Sequence, residues 1–131
     1  MIAVDTNVLV RLVVGDDQEQ VGRVIALLER TREAEQQWFV AVPVLCELVW
    51  VLDSVFGVPR RAIASTLDAL LEERLYQVES REAVGEALDR YRRARGDFVD
   101  YLIAALARRH GAALTYTFDR ALRREPGFAL L

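Results

Sequence analysis

Ile2-Ala3-Val4-Asp5-Thr6-Asn7 opens the chain with a short apolar run that stops at an acid. Small and β-branched apolar residues read as a buried strand, and the acid stands at its carboxyl end. Open α/β sheets bind ligands along that edge, so the stretch points to a fold class and a site together. Working outward, Trp38-Phe39-Val40, Leu75 to Val78, Ala112 to Tyr116 and Phe128 to Leu131 are further strand candidates. Helical periodicities fill the intervals. The alternation predicts an α/β fold with a mostly parallel central sheet flanked by helices.

The helix boundaries carry their own signals. Asn7 to Val14 reads as a short helix closed by Gly15-Asp16-Asp17. Asp17 then caps a longer helix with Val21, Val24, Ile25, Leu27 and Leu28 on its buried side. Pro43 suits the start of a helix over Val44 to Phe56, which Gly57 ends. Pro59 opens another over Arg60 to Glu73, and Ser80 caps one reaching Ala94. Gly96 breaks that helix and Asp97 caps the next, which runs to His110-Gly111. There the imidazole meets the carbonyl end and Gly allows a left-handed turn. Trp38, Trp50 and Cys46 read as core residues.

At 131 residues the chain suits one domain, and 53% hydrophobic content supplies a packed interior. One cysteine excludes an internal disulfide framework and makes a reducing cytoplasm the simplest compartment. Asp5 and Arg11 interrupt the apolar start before a signal sequence could develop, and no uncharged run approaches the roughly 18 residues of a membrane span. All basic side chains are arginine. From Arg90 onward nine arginines face four acids, Asp97, Asp100, Asp119 and Glu125. A basic last third beside carboxylates suits a phosphodiester substrate, since guanidinium pairs with phosphate oxygens. Solvated helix faces in an arginine-biased sequence would produce the same count.

Four acids lie in apolar settings: Asp5, Glu47, Asp100 and Asp119. Brought together they would repel one another unless a divalent cation sat between them. Glu47 lies in a helix that is apolar almost all round, with no basic residue three or four positions away. It either takes a cation from elsewhere or emerges on a solvated edge. Asp97 and Asp100 share a helix face, with capping the alternative role for Asp97. Asp119 follows a strand and could equally cap a short helix. Hard oxygen donors fit Mg²⁺ or Mn²⁺; one His and one Cys do not make a structural zinc site. Arg92, Arg93, Arg95 and Arg120 are candidate phosphate contacts.

Four stretches together resemble PIN-domain ribonucleases, and in particular the VapC toxins of toxin–antitoxin pairs. They are Ile2 to Val10, Glu47-Leu48-Val49-Trp50-Val51-Leu52, Asp97 to Ala105, and Thr117-Phe118-Asp119-Arg120. The resemblance implies a single PIN-like domain over residues 1–131. It aligns Asp5, Glu47 and Asp100 with the family's three central acids and Asp119 with a more variable fourth. Thr6, Asn7 and Thr117 match polar supporting positions. It further implies Mg²⁺- or Mn²⁺-dependent cleavage of single-stranded or looped RNA, usually of the transfer or ribosomal class, a VapB-type antitoxin and a toxin homodimer. Many relatives carry Thr-Arg-Asn with a later Asp; here Thr117-Phe118-Asp119 is compact.

Two rival readings stand beside it. A PIN-like RNA-binding or scaffold protein would keep the acids without turnover. A phosphatase that forms an aspartyl-phosphate would need a lysine near the phosphate, and the chain has none.

Overall fold

Ile2–Ala3 (β1), Trp38–Val40 (β2) and Tyr76–Val78 (β3) form a parallel sheet in that order, with Ile2 opposite Trp38 and Trp38 opposite Tyr76. The computed structural model describes residues 1–131 and divides into two units, Met1–Glu79 and Ser80–Leu131. The first unit adds four helices to this sheet: α1 (Thr6–Val14), α2 (Gln18–Glu33), α3 (Val42–Ser54) and α4 (Arg60–Glu72). The second holds α5 (Arg81–Arg93), α6 (Phe98–Arg109), β4 (Thr115–Thr117) and β5 (Phe128–Leu130). β4 and β5 also pair in parallel, so every ladder in the molecule is parallel, as the strand–helix alternation requires.

The first unit's elements follow from their boundary residues. Asp17 caps α2 by accepting the Gln20 N–H at 3.0 Å, Pro43 stands in the first turn of α3, and Gly15 and Gly57 take the left-handed conformation that ends α1 and follows α3. Leu45, Leu48 and Leu52 of α3 and Ile63 and Leu67 of α4 are buried. Trp38 is fully buried, and its indole N–H donates to the Thr31 hydroxyl at 2.9 Å. That hydroxyl donates in turn to the Leu27 and Leu28 carbonyls, so the one polar atom of the tryptophan costs the interior nothing in unmet hydrogen bonding. The Tyr76 ring meets Trp38 edge-on at 6.2 Å.

In the second unit, Ala104, Leu122 and Phe128 cluster beneath the β4–β5 pair, and Tyr91 packs edge-on against Phe98 at 6.0 Å. Gly96 precedes α6 in a place only glycine fits: a Cβ there would lie 2.5 Å from the Tyr101 hydroxyl. The Gly96 N–H donates to that hydroxyl at 2.7 Å, the hydroxyl bonds Glu125 at 3.2 Å, and Glu125 accepts from Arg90 at 2.8 Å. This chain of bonds ties the start of α6 to the segment after β4.

Several sequence expectations are corrected. Trp50 is 61% exposed, not core, and Ile25 on α2 is exposed. Both lie on helices whose apolar residues extend beyond the buried stripe, so composition could not orient them. Ser80 precedes α5 in a left-handed conformation and makes no side-chain cap bond. Strand and helix ends shift by one to three residues, most at β4, which begins at Thr115. No helix is long and apolar enough to cross a membrane.

Candidate active site

Each unit presents its candidate acids by its own local route. Asp5 leaves β1 and becomes the N-cap of α1, one carboxylate oxygen accepting the Thr6 N–H at 2.7 Å. Thr6 is buried, whereas Asp5 and Asn7 are exposed. Glu47 projects from the solvated side of α3, on the same face as Trp50. Of the two alternatives that the apolar helix leaves for Glu47, its carboxylate takes the solvated edge, so burial does not demand a cation there.

The second unit gathers three aspartates. Asp97 is the N-cap residue of α6 in position but not in bonding, since its carboxylate accepts no cap hydrogen bond. Asp100, in the first turn of α6, is half-buried and makes no hydrogen bond or ion pair. Burial first, then the negative charges of Asp97 and Asp119, push its carboxyl above the ordinary aspartate value. Asp119 does cap: its Oδ1 accepts the Ala121 N–H at 2.9 Å, while its own N–H donates to the Thr117 hydroxyl at 3.0 Å. Thr117 thus holds the turn that carries Asp119.

The arginines divide into paired and free. Arg90 pairs with Glu125, and Arg108 and Arg109 both pair with Glu86, the last at 2.6 Å. The Arg108 hydrogen bond, ahead of the other contributions, draws the Glu86 carboxyl below its usual value. Arg93, Arg95 and Arg120 are exposed and make no ion pair, whereas Arg92 is engaged. An open cavity of about 500 Å³ lies within this unit, lined by Glu86, Arg90, Arg93, Tyr101, Arg108 and Gly127 among others. It sits beside the paired arginines rather than over the aspartates.

Within neither unit do three ligating side chains converge on one point at binding distance. The donor chemistry nonetheless suits a hard divalent cation. Asp100 carries an unpaired, half-buried carboxylate whose proton affinity is raised by burial first and then by two like charges, and a cation would offset both. Within the second unit the one histidine, His110, caps the far end of α6 from Asp97 and Asp100. In the first unit the Cys46 thiol is pushed up by burial.

Sequence reasoning missed Phe118, whose ring is 81% exposed between Thr117 and Asp119, and the Gly96–Tyr101–Glu125 chain of bonds. Phe118 could have been noticed as an aromatic flanked by polar residues after a strand. The hydrogen-bond chain leaves no periodic trace.

Comparison with known proteins places these features in a wider setting. Residues 2–126 match the family model described as "PIN domain". The chain is 27% identical over 124 residues to a VapC ribonuclease of Aquifex aeolicus (strain VF5), an alignment covering 95% of this chain and 91% of that protein. No solved structure gives a significant match.

Proposed function

The chain belongs to the PIN-domain family, and we propose that it is a divalent-metal-dependent endoribonuclease, the toxin of a toxin–antitoxin pair, folded as a single domain over residues 1–131. The observation that carries this reading is Asp100. A half-buried carboxylate that ten arginines of its own unit leave unpaired, held beside Asp97 and Asp119, is poorly explained as a stabilising feature. As a ligand for Mg²⁺ or Mn²⁺ it is well explained.

In this mechanism the acids that the family resemblance aligns, Asp5, Glu47, Asp100 and Asp119, would hold the ion directly or through water, with Asp97 a further candidate ligand. When bound, such an ion lowers the pKa of a water and stabilises charge at phosphorus. The chain's own groups do the positioning. Thr6 donates its N–H to Asp5 and so fixes which carboxylate oxygen remains free. Thr117 fixes the Asp119 turn in the same way. Asn7, next to Asp5, is exposed and able to donate to a phosphate oxygen. Exposed Arg93, Arg95 and Arg120 supply phosphate contacts that make RNA binding salt-dependent; Arg92, already engaged, contributes less directly. The substrate is structured cellular RNA of the transfer or ribosomal class. A VapB-type antitoxin and a second copy of the chain are the expected partners, in the cytoplasm.

Purified protein incubated with total cellular RNA and Mg²⁺ or Mn²⁺ tests the reading, with EDTA and Asp5→Asn as controls. Discrete fragments that require both the metal and Asp5 are expected. RNA left intact by folded, metal-supplied protein freed of partner would overturn turnover and leave the RNA-binding alternative.

A further inference from the structure

Phe118 is the most exposed of the large apolar side chains, at 81%. A single exposed apolar residue is ordinary. This one sits in an unusual setting. Its backbone is fixed from both sides, by the Asp119 N–H bonded to Thr117 and by Asp119 bonded to the Ala121 N–H, so the ring projects from a held turn. A 3₁₀ turn follows at Arg120–Leu122, anchored by buried Leu122. Around that anchor Arg120, Arg123 and Arg124 are all exposed, and none makes an ion pair or hydrogen bond through its side chain. Elsewhere in the same unit Arg90, Arg108 and Arg109 are each matched by Glu125 or Glu86. Acids were therefore available to this unit, and the turn beside Phe118 was left without them.

We propose that Phe118 is a stacking platform for an unpaired nucleobase next to the bond that is cut, with Arg120, Arg123 and Arg124 taking the flanking phosphates. An exposed ring beside unneutralised guanidinium groups is the chemistry that holds single-stranded nucleic acid: the ring stacks on a base face and the cations track the backbone. Bases inside a duplex offer no free face, so the platform selects a loop or strand with splayed bases. An apolar protein partner is the poorer occupant, because covering Phe118 would desolvate three cations that have no carboxylate to meet them. The assignment rests on the ribonuclease reading, which already takes its substrate as single-stranded or looped RNA, and adds to it the side chains that grip the base and phosphates adjoining the cut.

The test uses the full chain and a labelled single-stranded oligoribonucleotide of roughly 12 nucleotides. Binding is measured by fluorescence anisotropy in EDTA, where cleavage is silent, for wild type, Phe118→Ala and Phe118→Trp. The same RNA is then cleaved in Mg²⁺ by each protein. Loss of the ring should weaken binding about ten- to hundredfold, and the larger ring of Phe118→Trp should restore it. A blunt duplex of the same sequence should bind weakly and equally to all three. With the side chain so exposed, circular dichroism melting should show the three proteins equally folded. Unchanged affinity in Phe118→Ala, with cleavage still requiring Asp100, would overturn the platform and leave the nuclease standing. A switch from dimer to monomer in sedimentation, without loss of RNA affinity, would make the ring a self-association contact and overturn it too. A wild type that neither binds nor cleaves RNA would remove both readings.

Discussion

The two units of the chain treat charge in opposite ways. Met1–Glu79 carries seven arginines against thirteen acids, and Ser80–Leu131 carries ten arginines against seven. In the acidic unit the candidate residues are solvated: Glu47 faces water and Asp5 shares its charge with a backbone N–H. In the basic unit, where cations abound, Arg90, Arg108 and Arg109 choose Glu125 or Glu86, and Asp97, Asp100 and Asp119 receive none. An excess of arginine that never neutralises three nearby aspartates separates two jobs. Glutamates at 86 and 125 hold elements together; the aspartates are kept open for something else.

The largest expected effect tests that division directly. Asp100→Asn and Asp5→Asn should each lower kcat for RNA cleavage by more than about 100-fold, beyond the usual cost of losing a supporting group around a metal. Glu86→Gln, which removes an acid of the same unit but one held by Arg108 and Arg109, should leave turnover near wild type. Comparable losses in all three would mean that the paired and unpaired acids are not functionally distinct.

Next in size is a contrast between the two tryptophans. Trp38→Ala empties a fully buried position and removes the indole donor to the Thr31 hydroxyl, for a cost of about 3–5 kcal/mol in urea unfolding. Trp50→Ala, at a site 61% exposed, should fall within about 0.5 kcal/mol of wild type. A large loss at Trp50 would mark that residue as covered in solution, which a homodimer would explain.

The same contrast explains what could be read without coordinates. Signals written in neighbouring residues came through: the β1 strand ending at Asp5, the Asp17 cap, Pro43 opening α3, and the left-handed Gly57 and Gly111. Each depends on interactions spanning four residues or fewer, where residue type alone fixes the conformation. Trp50 was misjudged, and Glu47 left between two readings, because α3 is apolar on most sides and periodicity names no buried face. The Gly96–Tyr101–Glu125–Arg90 chain of bonds was invisible because it joins residues up to 35 positions apart. For the candidate site, the acids could be nominated from the sequence. Their state was not: that Asp119 caps while Asp97 does not follows from side-chain orientation at two helix starts that look alike in sequence.

Salt offers a subtler probe of the basic unit. Replacing Arg123 and Arg124 together with Ala should reduce the slope of log K against log salt for single-stranded RNA by about 0.7 for each phosphate no longer neutralised. The Asp-dependent cleavage at saturating RNA should persist. An unchanged slope would place the phosphate path elsewhere, the exposed Arg93 and Arg95 being the next candidates.

The smallest effect concerns stability and separates the aspartates from the glutamates by sign. Asp100 holds its proton more tightly in the folded chain than at the ordinary value of 3.8. Its favourable contribution to folding is therefore fully present below the unfolded pKa and is lost as pH rises through the higher folded one. Glu86, drawn down by Arg108, behaves in reverse: its contribution is present above the unfolded value of 4.5 and is lost as pH falls through the lower folded one. In EDTA at neutral pH, Asp100→Asn should thus raise Tm by roughly 2–4 °C, and the gain should shrink as the pH approaches the unfolded aspartate value. Glu86→Gln should lower Tm at neutral pH, with the deficit closing in acid. Added Mg²⁺ should erase the advantage of the asparagine variant, because the cation offsets the cost of the partly buried charge and binds only the folded wild type. If the asparagine variant melts below wild type in EDTA, burial and the neighbouring acids impose no such cost at Asp100 and the carboxylate is stabilising on its own account.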